Sequence, residues 1–208
     1  MSAAERAAAR ARLGVAGDAP GPLVVLHPGA TDPRRRWPVA RFAALAARLA
    51  ADGCRVVVVG DAGDVDAATR IVALAADAAV TSLAGRLGLD ELLGVLAIAD
   101  VVVANDSGPR HLALAVGAPT VGIFWIGNVI NAGPHGRARH RIHFSWVTAC
   151  PVCGRDATQV GWTAPRCEHD ESFVAEVAVE PVYADAAELA AASAAARVTA
   201  SSAPPRAS

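Results

Sequence analysis

The sequence predicts an α/β fold, a doubly wound, mostly parallel sheet of the Rossmann-like kind, and three observations point to it. From Leu23 onward short β-branched runs alternate with alanine-rich amphipathic segments, the pattern of parallel strands joined by crossover helices. The run Arg55–Gly60 is almost all valine, as a strand buried on both faces requires. The 208 residues are 53% hydrophobic and only 19% charged, which excludes a disordered chain and is enough for one well-buried domain.

Residues 1–21 begin with an Ala/Arg/Glu segment, Ser2 to Arg12, read as a linker helix without the apolar core of a signal peptide. Residues 22–146 carry the sheet. Leu23–His27 is the first strand, followed by a polar loop and a helix from about Val39 to Ala51, with Pro38 in a first-turn position that tolerates it. Arg55–Gly60 is the second strand and passes through Asp61–Asp64 into a helix ending near Ala76. Val80–Leu83 (strand), Asp90–Ala97 (helix), Val101–Ala104 (strand), Arg110–Val116 (helix) and Thr120–Phe124 (fifth and last strand) complete the pattern. Beyond Ile126 the periodicity fails. A Cys/His loop is expected at 147–180, a terminal helix at 181–196, clearest at Asp185–Ala196, and a frayed tail at 197–208.

Net charge is −1 and every basic residue is arginine, so no basic surplus draws the molecule to nucleic acid, and membrane contact is at most peripheral. No stretch reaches the roughly 18 apolar residues of a membrane span, and a cytoplasmic location is expected. Any anion site is therefore local. Ligands of such sheets bind beyond the carboxyl ends of the strands, so the loops after His27, Gly60, Ala104 and Phe124 hold the candidate residues.

The run Asn105-Asp106-Ser107-Gly108-Pro109-Arg110-His111 lies between a buried strand and a helix. Gly108 allows close backbone approach, Pro109 suits a first helical turn, and the free N–H groups there favour an anion. Ser107 can cap the helix or donate to a phosphate. The alternative is a well-capped helix and nothing more. The loop from His27 to Pro38 holds Arg34, Arg35 and Arg36 ahead of a helix N-terminus, where they oppose its dipole; a bound polyanion explains them, with Thr31 offering a hydroxyl beside them. Arg34 reads as solvated. Gly60-Asp61-Ala62-Gly63-Asp64 is not a G-x-G-x-x-G fingerprint, which disfavours a nicotinamide or flavin enzyme; Asp61 can accept from a ribose or sugar hydroxyl, and Asp64 reads as a helix cap.

Three landmarks between Val24 and Trp125 carry a family resemblance: the Pro-Gly loop ending in basic-x-Trp-Pro, the Leu-Ala-Gly and Glu-Leu stretch at Leu83–Leu92, and Asp-Ser-Gly-Pro-x-His-Leu-Ala followed by Gly-x-Pro-Thr-Val. On these the chain resembles the carboxyl-terminal domain of glycosyltransferase family nine, the heptosyltransferases of lipopolysaccharide core synthesis and their relatives. The resemblance implies one half of a GT-B architecture that binds a nucleotide-diphosphate sugar, favouring an ADP-sugar, and transfers the sugar without a catalytic metal to a glycan or lipid-linked acceptor. It assigns Asp106, Ser107, Gly108 and His111 to the donor diphosphate and sugar, and Thr31 to phosphate; Pro109 and Arg36 join the expected binding set from the turn and charge arguments above. Arg35 stands where the family has a lysine, which keeps the charge but replaces a point donor by a planar fork; Arg35 and Asp106 are the expected catalytic pair. Arg110 stands where an uncharged residue is common, and either adds a phosphate contact or faces solvent. The acceptor site and general base of the family lie in an amino-terminal domain, so a separate acceptor-domain protein is an expected partner, and a non-catalytic binding module or a fragment is the alternative.

Cys150-Pro151-Val152-Cys153 followed by Cys167-Glu168-His169 has the donor set of a tetrahedral structural zinc site, although the spacing alone leaves free thiols open. Cys54 reads as a buried small hydrophobe. His135, His140 and His143 read as exposed in an arginine-rich loop.

Overall fold

The structure is a computed structural model that describes residues 3–12, 21–158 and 165–202. Six strands form one parallel sheet: β1 (Leu23–His27), β2 (Arg55–Val58), β3 (Val80–Ser82), β4 (Val101–Asn105), β5 (Thr120–Trp125) and β6 (His140–Ser145). Their order is β3-β2-β1-β4-β5-β6, so the chain winds outward from β1 in both directions and the switch point lies between β1 and β4. The helices are α1 (Ala3–Arg12), α2 (Val39–Ala51), α3 (Val65–Ala75), α4 (Leu89–Ile98), α5 (Gly108–Ala115), α6 (Ile126–Ala132) and α7 (Val179–Ser202).

Two apolar clusters sandwich the sheet, and β1 shows how the two-residue period of a strand builds both. Val24 and Leu26 face Phe42, Leu45 and Leu49 of α2, Ile71 of α3, and Val182, Ala186 and Leu189 of α7. Leu23 and Val25 face the opposite cluster, with Ala9 of α1, Val95 and Leu96 of α4, and Ala113 of α5. All five β1 residues are buried, as a central parallel strand demands.

The boundaries of β1 and α2 coincide with the expected strand and helix, and the other expected elements of the sheet region shift by a residue or two. Three findings differ from the sequence reading. The sheet has six strands, not five: β6 pairs with β5 in register from Thr120↔His140 to Trp125↔Ser145. Its charged residues are matched by α7, with Arg141 donating to Asp185 at 2.7 Å and to Glu188 at 2.8 Å and His143 2.9 Å from Asp185. His140 and His143 are therefore half-buried, with burial pulling both imidazoles below their ordinary value; only His135 is exposed as expected. Second, a short helix, α6, follows β5 directly. Third, the terminal helix runs from Val179 to Ser202, taking Pro181 into its first turn and including residues 197–202 of the expected tail. Positions 13–20 of the expected linker and 203–208 of the expected tail lie outside the described residues.

Candidate functional site

A cavity of about 540 Å³ opens beyond the carboxyl ends of β1, β2 and β4, beside the switch point. Its walls come from the loop after β1 (Ala30, Thr31, Arg36), the turn after β2 (Gly60, Asp61, Gly63, Asp64), the start of α4 (Gly88, Leu89, Leu92) and the first turn of α5 (Ser107, Gly108, Pro109), with His27 at the floor. Of the nine expected donor and catalytic residues, Thr31, Arg36, Asp61, Ser107, Gly108 and Pro109 line it.

Each wall is held by specific bonds. Arg36 is exposed, and its Nε donates to the Ala30 carbonyl at 2.8 Å, which pins the loop back on itself. Asp61 caps a 3-10 turn by accepting from the Gly63 amide at 2.7 Å. Asp64 belongs to the same capping box, accepting from the Asp61 amide at 3.2 Å, but it also reaches His27, whose Nε2 is 3.4 Å from Oδ2. The hydrogen bond to His27 is the largest effect on the Asp64 carboxyl and holds it below the ordinary carboxylate range. Gly29 and Gly60 make this approach possible: a Cβ at either would stand 2.4 Å and 2.5 Å from the Asp64 side chain.

Arg35, Asp106 and His111 are not on the cavity wall; they form a network behind it. Asp106 is 3% exposed, and its Oδ2 accepts from Asn128 of α6 at 2.7 Å and from Arg35 Nη1 at 3.2 Å. Its Oδ1 lies 3.5 Å from the exposed His111 and 3.8 Å from Arg110. Arg110 does not face solvent. It is fully buried, lies 4.6 Å above the Phe124 ring and donates to the Ala132 carbonyl at 2.6 Å, while its Nε and Nη1 have no partner. Burial pulls its guanidinium below the ordinary value, against the pull of Asp106.

Arg34 corrects a second expectation, since it is 4% exposed rather than solvated. Its Nε donates to Asp32 at 3.0 Å and its guanidinium lies 5.2 Å over the Phe173 ring. Ser107 heads α5 but makes no side-chain cap bond; its Oγ lies 3.1 Å from both the Asn105 carbonyl and His27 Nδ1. His27, Asp64 as a cavity residue, and Asn128 were not singled out from sequence. The available signal for His27 was its position as the one polar residue of β1, at the strand end where ligands bind.

Cys150, Cys153, Cys167 and His169 come together, with their ligand atoms all within 4.8 Å of one another. The Cys150 thiol is lowered to about 6, chiefly by the backbone N–H of Cys153, so a thiolate is available near neutrality. His169 Nδ1 is buried without a hydrogen-bond partner. The segment just after this cluster clasps the basic loop: the Ser172 hydroxyl donates to the Arg36 carbonyl at 2.6 Å, and the Phe173 amide to the Arg34 carbonyl at 2.7 Å. Cys54 is buried, as expected.

Among the described residues no helix is long and apolar enough to cross a membrane. Lipopolysaccharide heptosyltransferase 2 of Escherichia coli is 36% identical over 107 residues, which cover 50% of this chain and 31% of that relative. The solved structure of E. coli ADP-heptose lipopolysaccharide heptosyltransferase II superposes with a TM-score of 0.71 at 22% identity, covering 92% of this chain and 53% of that one. The dodecameric iron-containing heptosyltransferase TibC, solved in complex with ADP-D-beta-D-heptose, superposes with a TM-score of 0.53 at 16% identity over 84% of this chain and 47% of its own. The chain thus spans about half the length of its structural relatives. The family model of glycosyltransferase family 9 (heptosyltransferase) matches residues 1–146, and the chain belongs to that family.

Proposed function

We propose that the cavity binds a nucleotide-diphosphate sugar and that the chain is the donor-binding half of a heptosyltransferase-like enzyme, which passes the sugar to a glycan or lipid-linked acceptor. The observation that carries this reading is the convergence of a helix N-terminus, Thr31, Arg36 and Asp61 on one cavity. The first turn of α5 directs the free Gly108 amide and the positive end of its dipole at a diphosphate, with Gly108 and Pro109 forming that turn and Ser107 at its head. Thr31 and Arg36 donate to the same phosphates, and Asp61, on the opposite wall, accepts from a ribose or sugar hydroxyl. Arg35, held on Asp106 behind the cavity wall, acts on the charge that develops on the diphosphate as the bond to the sugar breaks through its field and not through a direct bond; Asn128 and His111 complete the setting of that carboxylate. An ADP-sugar is the favoured donor, in line with the ADP-heptose of the TibC complex. No metal takes part in this transfer.

The two carboxylates on the cavity wall are both engaged, Asp61 by the Gly63 amide and Asp64 by His27. Neither is placed as a general base, which supports an acceptor site and base supplied by a separate domain. The same observation favours the second reading, a nucleotide-sugar-binding module that has no transfer activity by itself. Titration calorimetry with ADP, UDP, GDP and an ADP-sugar tests the site. Micromolar, base-selective binding supports it, and absence of binding to all four refutes it; sugar transfer that appears only when an acceptor domain is added favours the enzyme half.

The Cys150, Cys153, Cys167 and His169 cluster fits a tetrahedral metal, three sulfurs and one imidazole with an orphaned ring nitrogen. Its role in this reading is a structural clip that holds the loop bearing Arg35 and Arg36 through Ser172 and Phe173. Zinc is the proposed ion, and elemental analysis of the purified chain distinguishes it from iron, which the TibC structure names.

A further inference from the structure

The floor of the cavity carries a buried pair that the reading above leaves without a task. His27 is 5% exposed; its Nε2 faces Asp64 Oδ2 at 3.4 Å, and its Nδ1 lies 3.1 Å from the Ser107 Oγ. Asp64 is seated for this contact, in a space that a side chain at Gly29 or Gly60 would fill.

Ser107 is the N-cap of α5, with an extended backbone (φ −154°, ψ 165°), where a serine ordinarily turns its hydroxyl back onto the helix. It does not do so here. Pro109, in the second helical position, has no N–H, so the amide that a capping Oγ would take is that of Arg110 in the third, which here donates to the Ser107 carbonyl at 3.2 Å. The Oγ lies instead between His27 and the Asn105 carbonyl. The Gly108 amide has no hydrogen-bond partner among the described residues, and a Cβ built on Gly108 would meet nothing within 4 Å, so the turn opens on free space.

We propose that His27 is a positioning residue of the donor pocket: braced by Asp64, it holds the Ser107 hydroxyl off its own helix and so keeps the first turn of α5 open for the donor's diphosphate. A capping Oγ on the Arg110 amide stands over the first turn, where a phosphate oxygen would meet the free Gly108 amide and the same end of the helix dipole. A serine released from His27 becomes an internal competitor of the ligand. The inference rests on the donor-binding reading of the cavity.

The test is a double-variant cycle on the full chain, read by calorimetric titration with ADP. His27→Phe is expected to lower ADP affinity about tenfold, the worth of one charge-assisted hydrogen bond. In the Ser107→Ala background, where no hydroxyl can cap, the same change is expected to shift affinity by less than about threefold. A merely structural role for His27 gives equal losses in both backgrounds, and that result overturns the proposal. Asp64→Asn, which loosens the brace, repeats the cycle and decides it if His27→Phe does not fold. If the unaltered chain binds no ADP, the donor reading fails by itself, and the crystal structure of His27→Phe then decides this inference. Ser107 Oγ on the Arg110 amide supports it; Oγ still on the Asn105 carbonyl overturns it.

Discussion

Asn105→Ala is expected to be the most costly single truncation at this site, although the Asn105 side chain bonds no residue of the cavity wall. Asn105 ends β4 and is fully buried. Its Oδ1 accepts from the Trp37 amide at 3.0 Å, and its Nδ2 donates to the Pro28 carbonyl at 2.7 Å and to that of Gly29 at 3.3 Å. One side chain therefore ties the two ends of the basic loop to the strand that leads into Asp106 and Ser107. Truncation strands the Trp37 N–H and the Pro28 carbonyl, each at about 1–3 kcal/mol, so a loss of roughly 2–6 kcal/mol is expected. With a urea slope of about 2 kcal/mol per molar, the unfolding midpoint falls by ~1–3 M. Asn105→Asp gives a sharper comparison. It keeps an acceptor for Trp37 but turns an oxygen toward the Pro28 carbonyl, and should cost at least as much. Urea unfolding followed by tryptophan fluorescence measures both, and ADP titration on the folded fraction should show weaker binding. A loss under about 1 kcal/mol in Asn105→Ala, with ADP affinity unchanged, would refute the claim that this residue holds the loop.

Arg35→Ala and Asp106→Ala should each weaken binding of an ADP-sugar, checked by titration; unchanged affinity in both removes the network behind the cavity from the site. Acid should destabilise the fold through Asp64: His27 lowers its carboxyl pKa in the folded state, so this contribution is complete above the unfolded value near 4 and is lost as pH falls through the lower folded value. Thermal unfolding between about pH 6 and 3 should therefore fall less steeply in Asp64→Asn than in the unaltered chain. Cys153→Ser should lower the melting temperature without abolishing folding, and a chelator should do the same to the unaltered chain and nothing further to the variant.

The elements that the sequence revealed well are those whose burial is local and periodic. Val39–Ala51 could be bounded because Pro38 and Gly53 punctuate an amphipathic run, and β1, β2, β4 and β5 because both of their faces are apolar. β6 escaped because its pattern is hidden by charge: His-Arg-Ile-His-Phe-Ser puts Arg141 and His143 on one face, and only α7, more than thirty residues later, supplies the acids that make that face a buried one. α6 is a seven-residue helix without a buried side chain, so no apolar stripe announces it.

The arginine loop shows why a site can be located from sequence before its residues can be assigned. Three guanidiniums opposing a helix dipole argued for a bound polyanion, and that inference assumed that all three lacked protein partners. Each in fact meets a different one. Arg34 is taken by Asp32 and Phe173, Arg35 by Asp106, and Arg36 spends one nitrogen on Ala30 and presents the rest of its fork at the cavity rim. The charge left for a ligand is thus about one arginine plus the first turn of α5, not the two, Arg35 and Arg36, that the sequence assigned to it once Arg34 was read as solvated. The position of the site follows from local sequence, because the loop after β1 must border the switch point whatever its side chains do. The partition of its charges does not, because Phe173 and Asp106 reach the loop from distant parts of the chain. A diphosphate bound by one flexible guanidinium, the Gly108 amide and the dipole of α5 should lose little affinity as salt is raised, since amide and dipole are backbone groups that exchange no counterion. Raising sodium chloride from about 50 to 500 mM should therefore weaken ADP binding by less than about tenfold. A loss of a hundredfold or more would mean that Arg34 and Arg35 leave their partners to meet the ligand.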